Sequence, residues 1–102
     1  MINPQKVHIS PTQLEDFCKR HHILKLSFFG SVLTDHFTPK SDVDVLVEFE
    51  PEHVPGLSLI RMQDELSTLM GGRKVDLVTP KFLNRRIRAR VQAEAVVQYA
   101  ER

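Results

Sequence analysis

Apolar and polar positions along this chain fall into two rhythms, one helical and one of strands. Leu14, Phe17 and Cys18 recur at helical spacing behind Ser10-Pro11-Thr12-Gln13. That opening is a helix start: a serine cap, a proline suited to the first helical position, and a glutamine three residues after the cap. In "ILKLSFF", residues 23–29, Leu24, Leu26 and Phe28 stand beside the more polar Lys25 and Ser27, a strand rhythm that ends at Gly30. Ser31 to about Asp35 suits a short helical turn, and Thr38-Pro39-Lys40-Ser41 is a loop. "DVDVLVEF", residues 42–49, is dense in β-branched residues and predicts a second strand. After the loop "EPEHVPG", Leu59, Met62, Leu66 and Leu69 predict a helix that stops at Gly71-Gly72. "RKVDLVT" predicts a third strand, halted by Pro80. From about Phe82 the spacing of Ile87, Val91, Ala95 and Tyr99 predicts a final helix, with Arg85, Arg86, Arg88 and Arg90 on its outer face. The order α-β-α-β-α-β-α implies an α/β sandwich, a short mixed sheet of about three strands packed with helices.

The chain has 102 residues, enough for one modest core, so residues 1–102 are expected to form one domain. Apolar and charged fractions of 41% and 26% are those of an ordinary soluble protein. A formal charge of +1 offers no global attraction to nucleic acid. Cys18 is the single cysteine, which excludes an internal disulfide and fits a reducing cytoplasm. "MINPQKVHIS" lacks the apolar stretch of a secretory signal. No apolar run approaches the roughly 20 residues of a membrane helix. Cys18 reads as a small core residue on its helix stripe. His21 and His22 read as cations closing that helix rather than as metal ligands.

The second strand poses the chemical question. Side chains alternate across a strand, so Val43, Val45, Val47 and Phe49 form a core face while Asp42, Asp44, Leu46 and Glu48 face the other way. Asp42 and Asp44 then lie about 7 Å apart along the strand. Two anions that close repel unless a cation sits with them. In the third strand Val75 and Leu77 face the core and Asp76 faces away, so pairing beside the second strand brings a third carboxylate to the same face. Three carboxylates with no histidine or cysteine nearby in sequence favour Mg²⁺ over zinc. Gly30, at the end of the first strand, lets a phosphate approach the backbone, and Ser31 adds a hydroxyl at the start of a turn whose N–H groups suit an anion. Phosphates at Gly30 and Ser31 with metals at the aspartates describe a nucleoside triphosphate site.

Gly-Ser, ten residues, Asp-x-Asp, and a third aspartate in a later strand resemble the signature of the DNA polymerase beta-like nucleotidyltransferases. The small size, "SDVDVLV", "KVDLVTP" and the ending "AEAVVQYAER" are similar to the minimal nucleotidyltransferases, which are encoded beside HEPN-domain partners as toxin–antitoxin pairs. The resemblance implies that Gly30 and Ser31 bind the triphosphate, and that Asp42 and Asp44 bind metal. Asp76 is implied as third ligand or base. It implies two Mg²⁺ ions, ATP as substrate, and transfer of AMP to a tyrosine of a HEPN RNase toxin. The chain departs from the family pattern in one place: where many members read G-S-x-A-R-G, Thr34 and Asp35 stand in the arginine and second glycine positions. Lys40, Arg73 or an arginine of a partner are the candidates to supply the missing charge.

Two other readings belong to different classes. In one, a transferase fold of weak or absent activity neutralises the toxin by binding alone, as the Thr34-Asp35 departure suggests. In the other, the same catalytic face serves an RNA or a small molecule. The arginine face of the last helix would suit RNA, although such faces are more often solvated or turned to a protein partner.

Overall fold

The structure, a computed structural model, describes residues 7–101. Helix α1 (Pro11–Arg20) begins as its sequence dictates: the Ser10 hydroxyl accepts the Gln13 N–H at 3.3 Å, and Pro11 stands in the first turn. Leu14, Phe17 and Cys18 are its buried face. Burial pushes the Cys18 thiol up to about 12, so it stays a protonated packing group. Strand β1 (Ile23–Phe29) follows, then a 3₁₀ turn at Gly30–Leu33, then strand β2 (Val43–Phe49). Helix α2 (Ser58–Leu69) buries Met62 and Leu66 and ends in two left-handed glycines, with the Gly72 N–H reaching back 2.8 Å to the Ser67 carbonyl. Strand β3 (Val75–Val78), helix α3 (Arg85–Glu94) and strand β4 (Val96–Ala100) complete the order.

The α/β class is as expected, with the sheet in the order β3-β2-β1-β4. Strand β1 runs antiparallel to both β2 and β4, and β2 runs parallel to β3. Only the parallel pair needs a long crossover, and α2 provides it. The core fills one face of the sheet. Val43, Val45, Val47, Val75, Leu77, Leu26 and Phe28 lie there under Phe17, Cys18, Met62 and Leu66.

Three expectations are corrected. The sheet has four strands, because the last residues leave the helix: Ala95 is already extended, at φ −62° and ψ 142°, and Tyr99 pairs with Leu26 in β1. The stripe Ile87, Val91, Ala95 and Tyr99 is therefore not one helix face. Helix α3 has no buried residue, and Ile87 is exposed. In β1 a bulge between Ile23 and Lys25 turns Ile23 inward and leaves Leu24 exposed, reversing the alternation read at that end.

Candidate active site

The β2–β3 ladder builds the centre of the site. Its register sets Val43 beside Val75 and Asp44 beside Asp76. Because period-two alternation sends the valines into the core, both aspartates emerge together on the opposite face. Neighbouring strands stand about 4.8 Å apart, so the backbone alone holds the two carboxylates as neighbours. Asp42 lies one residue before β2, where the Val43 N–H bonds the Lys74 carbonyl at 2.9 Å. The pairing that sequence could only pose as a condition is realised.

The electrostatics follow from this crowding. The Asp44 carboxyl sits above the ordinary aspartate range, first because it is partly buried and then because Asp76 and Asp42 repel its charge. The Lys74 Nζ lies 3.9 Å from Asp42 Oδ2 and is largely exposed. Three carboxylates with one loose lysine leave negative charge for a cation to neutralise.

The Gly30 turn closes against this cluster. Gly30 has φ +76°, and a Cβ built on it would lie 2.4 Å from Asp44 Oδ2. Only glycine lets the turn pack on that carboxylate and keep a left-handed backbone. The turn is sealed through the Ser31 carbonyl, which accepts both the Thr34 N–H and the Thr34 hydroxyl at 2.9 Å. Thr34 Oγ1 then accepts the His36 N–H at 3.2 Å. The residue standing in the arginine position thus works as a turn closure. The two cations of this chain offered as substitutes also differ in role. Arg73 is committed to the loop: its Nη2 donates to the carbonyls of Thr38 at 2.8 Å and Ser41 at 3.2 Å, and its guanidinium lies 4.4 Å from the centre of the Phe37 ring. It fixes the approach to Asp42. Lys40 stays exposed, with its backbone N–H on Thr38 Oγ1.

Beside the aspartates the same sheet face carries a recess of about 120 Å³, lined by Lys25, Ser27, Leu46, Glu48, Gln92, Ala95 and Val97. Ser27 and Leu46, register partners, are buried beneath it. Sequence reasoning missed this recess because three of its walls come from the end of α3 and from β4. The valine pair and tyrosine of "VVQYA" were the available signal, a run of strand formers that no glycine or proline separates from the helix before it.

The residues present fit a hard divalent cation. The donor set is carboxylate, its charges are mutually repulsive, and Gly30 keeps the space above Asp44 free of a side chain.

Comparison with known proteins identifies the family of the chain. The family model described as "Nucleotidyltransferase domain" matches residues 11–98. A protein of Methanocaldococcus jannaschii, provisionally named a protein adenylyltransferase, is 34% identical over 95 residues, which cover 93% of this chain and 95% of that one. A solved structure provisionally described as a minimal nucleotidyltransferase is 32% identical, with a TM-score of 0.67, over 87% of this chain and 96% of that chain. A crystal structure of a toxin–antitoxin with AMP-PNP shares the fold alone, at 14% identity and a TM-score of 0.72, over 92% of this chain and 76% of that chain. A strand pair that carries Asp44 beside Asp76, a Gly-Ser turn closed onto it, and a family match across nearly the whole length agree, and the chain belongs to the nucleotidyltransferase domain family.

Proposed function

We propose that this nucleotidyltransferase is a Mg²⁺-dependent cytoplasmic antitoxin that transfers AMP from ATP to a tyrosine hydroxyl of a cognate HEPN-domain RNase, silencing it. The observation that carries the reading is the ladder register that seats Asp44 beside Asp76 with the Gly30 backbone packed on Asp44. Asp42, Asp44 and Asp76 would hold two Mg²⁺ ions, which supply charge neutralisation at the attacking and leaving oxygens.

The protein's own groups do the positioning. Gly30 admits the triphosphate to the backbone, and the Ser31 hydroxyl donates to a phosphate oxygen. Asp76, the most exposed of the strand carboxylates, accepts the proton of the incoming hydroxyl. The hydroxyl oxygen bonds to the α-phosphorus, the bond from that phosphorus to the pyrophosphate oxygen breaks, and AMP remains on the acceptor. The face is open, which suits an acceptor presented by another protein. The name of the archaeal relative supports protein as the acceptor, and the toxin–antitoxin neighbour with AMP-PNP supports toxin and nucleotide.

The test is intact mass spectrometry of the cognate partner after incubation with ATP, Mg²⁺ and this protein. The partner should gain whole AMP units and stay silent as an RNase after this protein is removed. Asp76→Asn should abolish the mass gain and keep partner binding. The use of Thr34 as a turn closure instead of a phosphate-facing arginine favours a second reading, inhibition by binding alone. That reading replaces the first if wild type and Asp76→Asn silence the partner equally with no AMP attached.

A further inference from the structure

At the far end of β2 from the aspartates, two side chains of one short turn, Glu50 and His53, meet His22 from the end of α1. His22 leaves α1 in a left-handed conformation, φ 58°, which histidine tolerates better than most residues. Its carbonyl accepts the Glu50 N–H at 2.9 Å, so the start of β1 is tied to the end of β2. The short 3₁₀ turn Pro51–His53 then folds His53 back over His22, with ring centres 3.7 Å apart and planes 10° from parallel. Glu50 Oε2 lies 3.0 Å from His22 Nδ1 and 3.9 Å from His53 Nε2. One ligand atom from each of the three residues lies within 4.8 Å of the other two.

We propose that His22, Glu50 and His53 form a second metal site, for Zn²⁺, separate from the carboxylate site. Two imidazoles and one carboxylate are a donor set for a borderline transition metal and a poor one for Mg²⁺, which takes oxygen ligands. The aspartate face has the opposite chemistry, so the two ends of one strand select different cations. All three side chains are half-exposed, at 46% for His22, 35% for Glu50 and 45% for His53, which leaves the rings free to turn toward a shared ion. Glu52 lines the adjoining recess with Glu50 and His53 and adds a further carboxylate to its rim. Three protein ligands leave a coordination position open to water or to a donor from another molecule. A bound ion would staple the α1–β1 junction to the β2 end.

The experiment is calorimetric titration of tag-free protein with ZnCl₂ under excess Mg²⁺, paired with Co²⁺ absorption spectra. Wild type should bind one equivalent of Zn²⁺, and Co²⁺ should give the intense visible bands of tetrahedral ligation. His53→Ala should weaken binding at least about 10-fold, the lower end of the loss seen when even a supporting partner of a ligand is removed. His22→Asn, which keeps a residue that accepts the left-handed backbone, should do the same with the fold intact by circular dichroism. Asp42→Asn with Asp44→Asn should leave the Zn²⁺ equivalent unchanged. The site is disproved if wild type takes up no Zn²⁺, if His53→Ala and His22→Asn bind as wild type does, or if the aspartate variant loses the Zn²⁺ equivalent.

Discussion

Gly30 and Asp44 meet so closely that each constrains what the other position can be. A methyl on Gly30 would strike the Asp44 carboxylate and force a left-handed conformation on an L-residue. Gly30→Ala should therefore cost about 1–3 kcal/mol, the range of locally strained backbones, read as a lower urea midpoint. A midpoint equal to wild type would mean that the turn relaxes away from β2. Asp44 makes a second prediction, about pH. Its folded pKa is raised, so between the unfolded value near 3.9 and the higher folded one the native state holds the proton more tightly. Stability from this group is then largest at acid pH and falls as pH rises through that window. In chelator, Asp44→Asn should raise stability at neutral pH and flatten this slope. Equal slopes from pH 4 to pH 7 would show that neither burial nor the neighbouring carboxylates disfavour the Asp44 charge in the folded state. The pairing of Asp44 with Asp76 was legible in sequence because carboxylates are improbable within runs of strand-forming valines. The work of Thr34 and Arg73 was not, since it consists of bonds to backbone carbonyls that only the folded loop brings near.

Among the elements, α1, β1, β2, α2 and β3 were legible because each has strong periodicity and a chemical stop. The last segment lacked the stop. Ile87, Val91, Ala95 and Tyr99 keep helical spacing across a boundary where nothing breaks the helix, and pairing with the β1 edge overrides that local pattern. Helix α3 is consequently held less by burial than by its arginine. Arg88 Nε donates to the Pro80 carbonyl at 2.7 Å and its Nη2 to the Leu83 carbonyl at 3.0 Å, while the Asn84 side chain caps the Ile87 N–H at 2.9 Å. Arg88→Ala should lower stability by about 1–2 kcal/mol through these charge-assisted bonds, and Arg85→Ala should stay within about 0.5 kcal/mol, as for other exposed positions. Chemical denaturation of both variants decides the matter. Equal effects would reduce the four arginines to one undifferentiated surface.

At the scale of the molecule, the sheet divides labour between its faces. One face is core under α1 and α2, and the other carries the aspartates and the adjoining recess. Ligand binding to the second face should stabilise the whole by mass action. Mg²⁺ with ATP at about 100 times its dissociation constant should add about 2.7 kcal/mol, seen as a rise on the order of 10 °C in Tm. Asp42→Asn with Asp44→Asn should remove most of that rise, and an undiminished rise would move the nucleotide elsewhere.

The register of β2 on β3 also makes the carboxylate pair portable. Asp44 and Asp76 owe their proximity to backbone pairing, which α2 supports from outside the pair through Gln63, whose Oε1 accepts the Leu77 N–H at 2.9 Å. A protein engineer could therefore rewrite the exposed faces of α1 and α2 while keeping Gln63 and the buried positions, or graft the two strands with the Gly30 turn and the α2 crossover onto another mixed sheet, and expect the acidic pair to arrive already aligned.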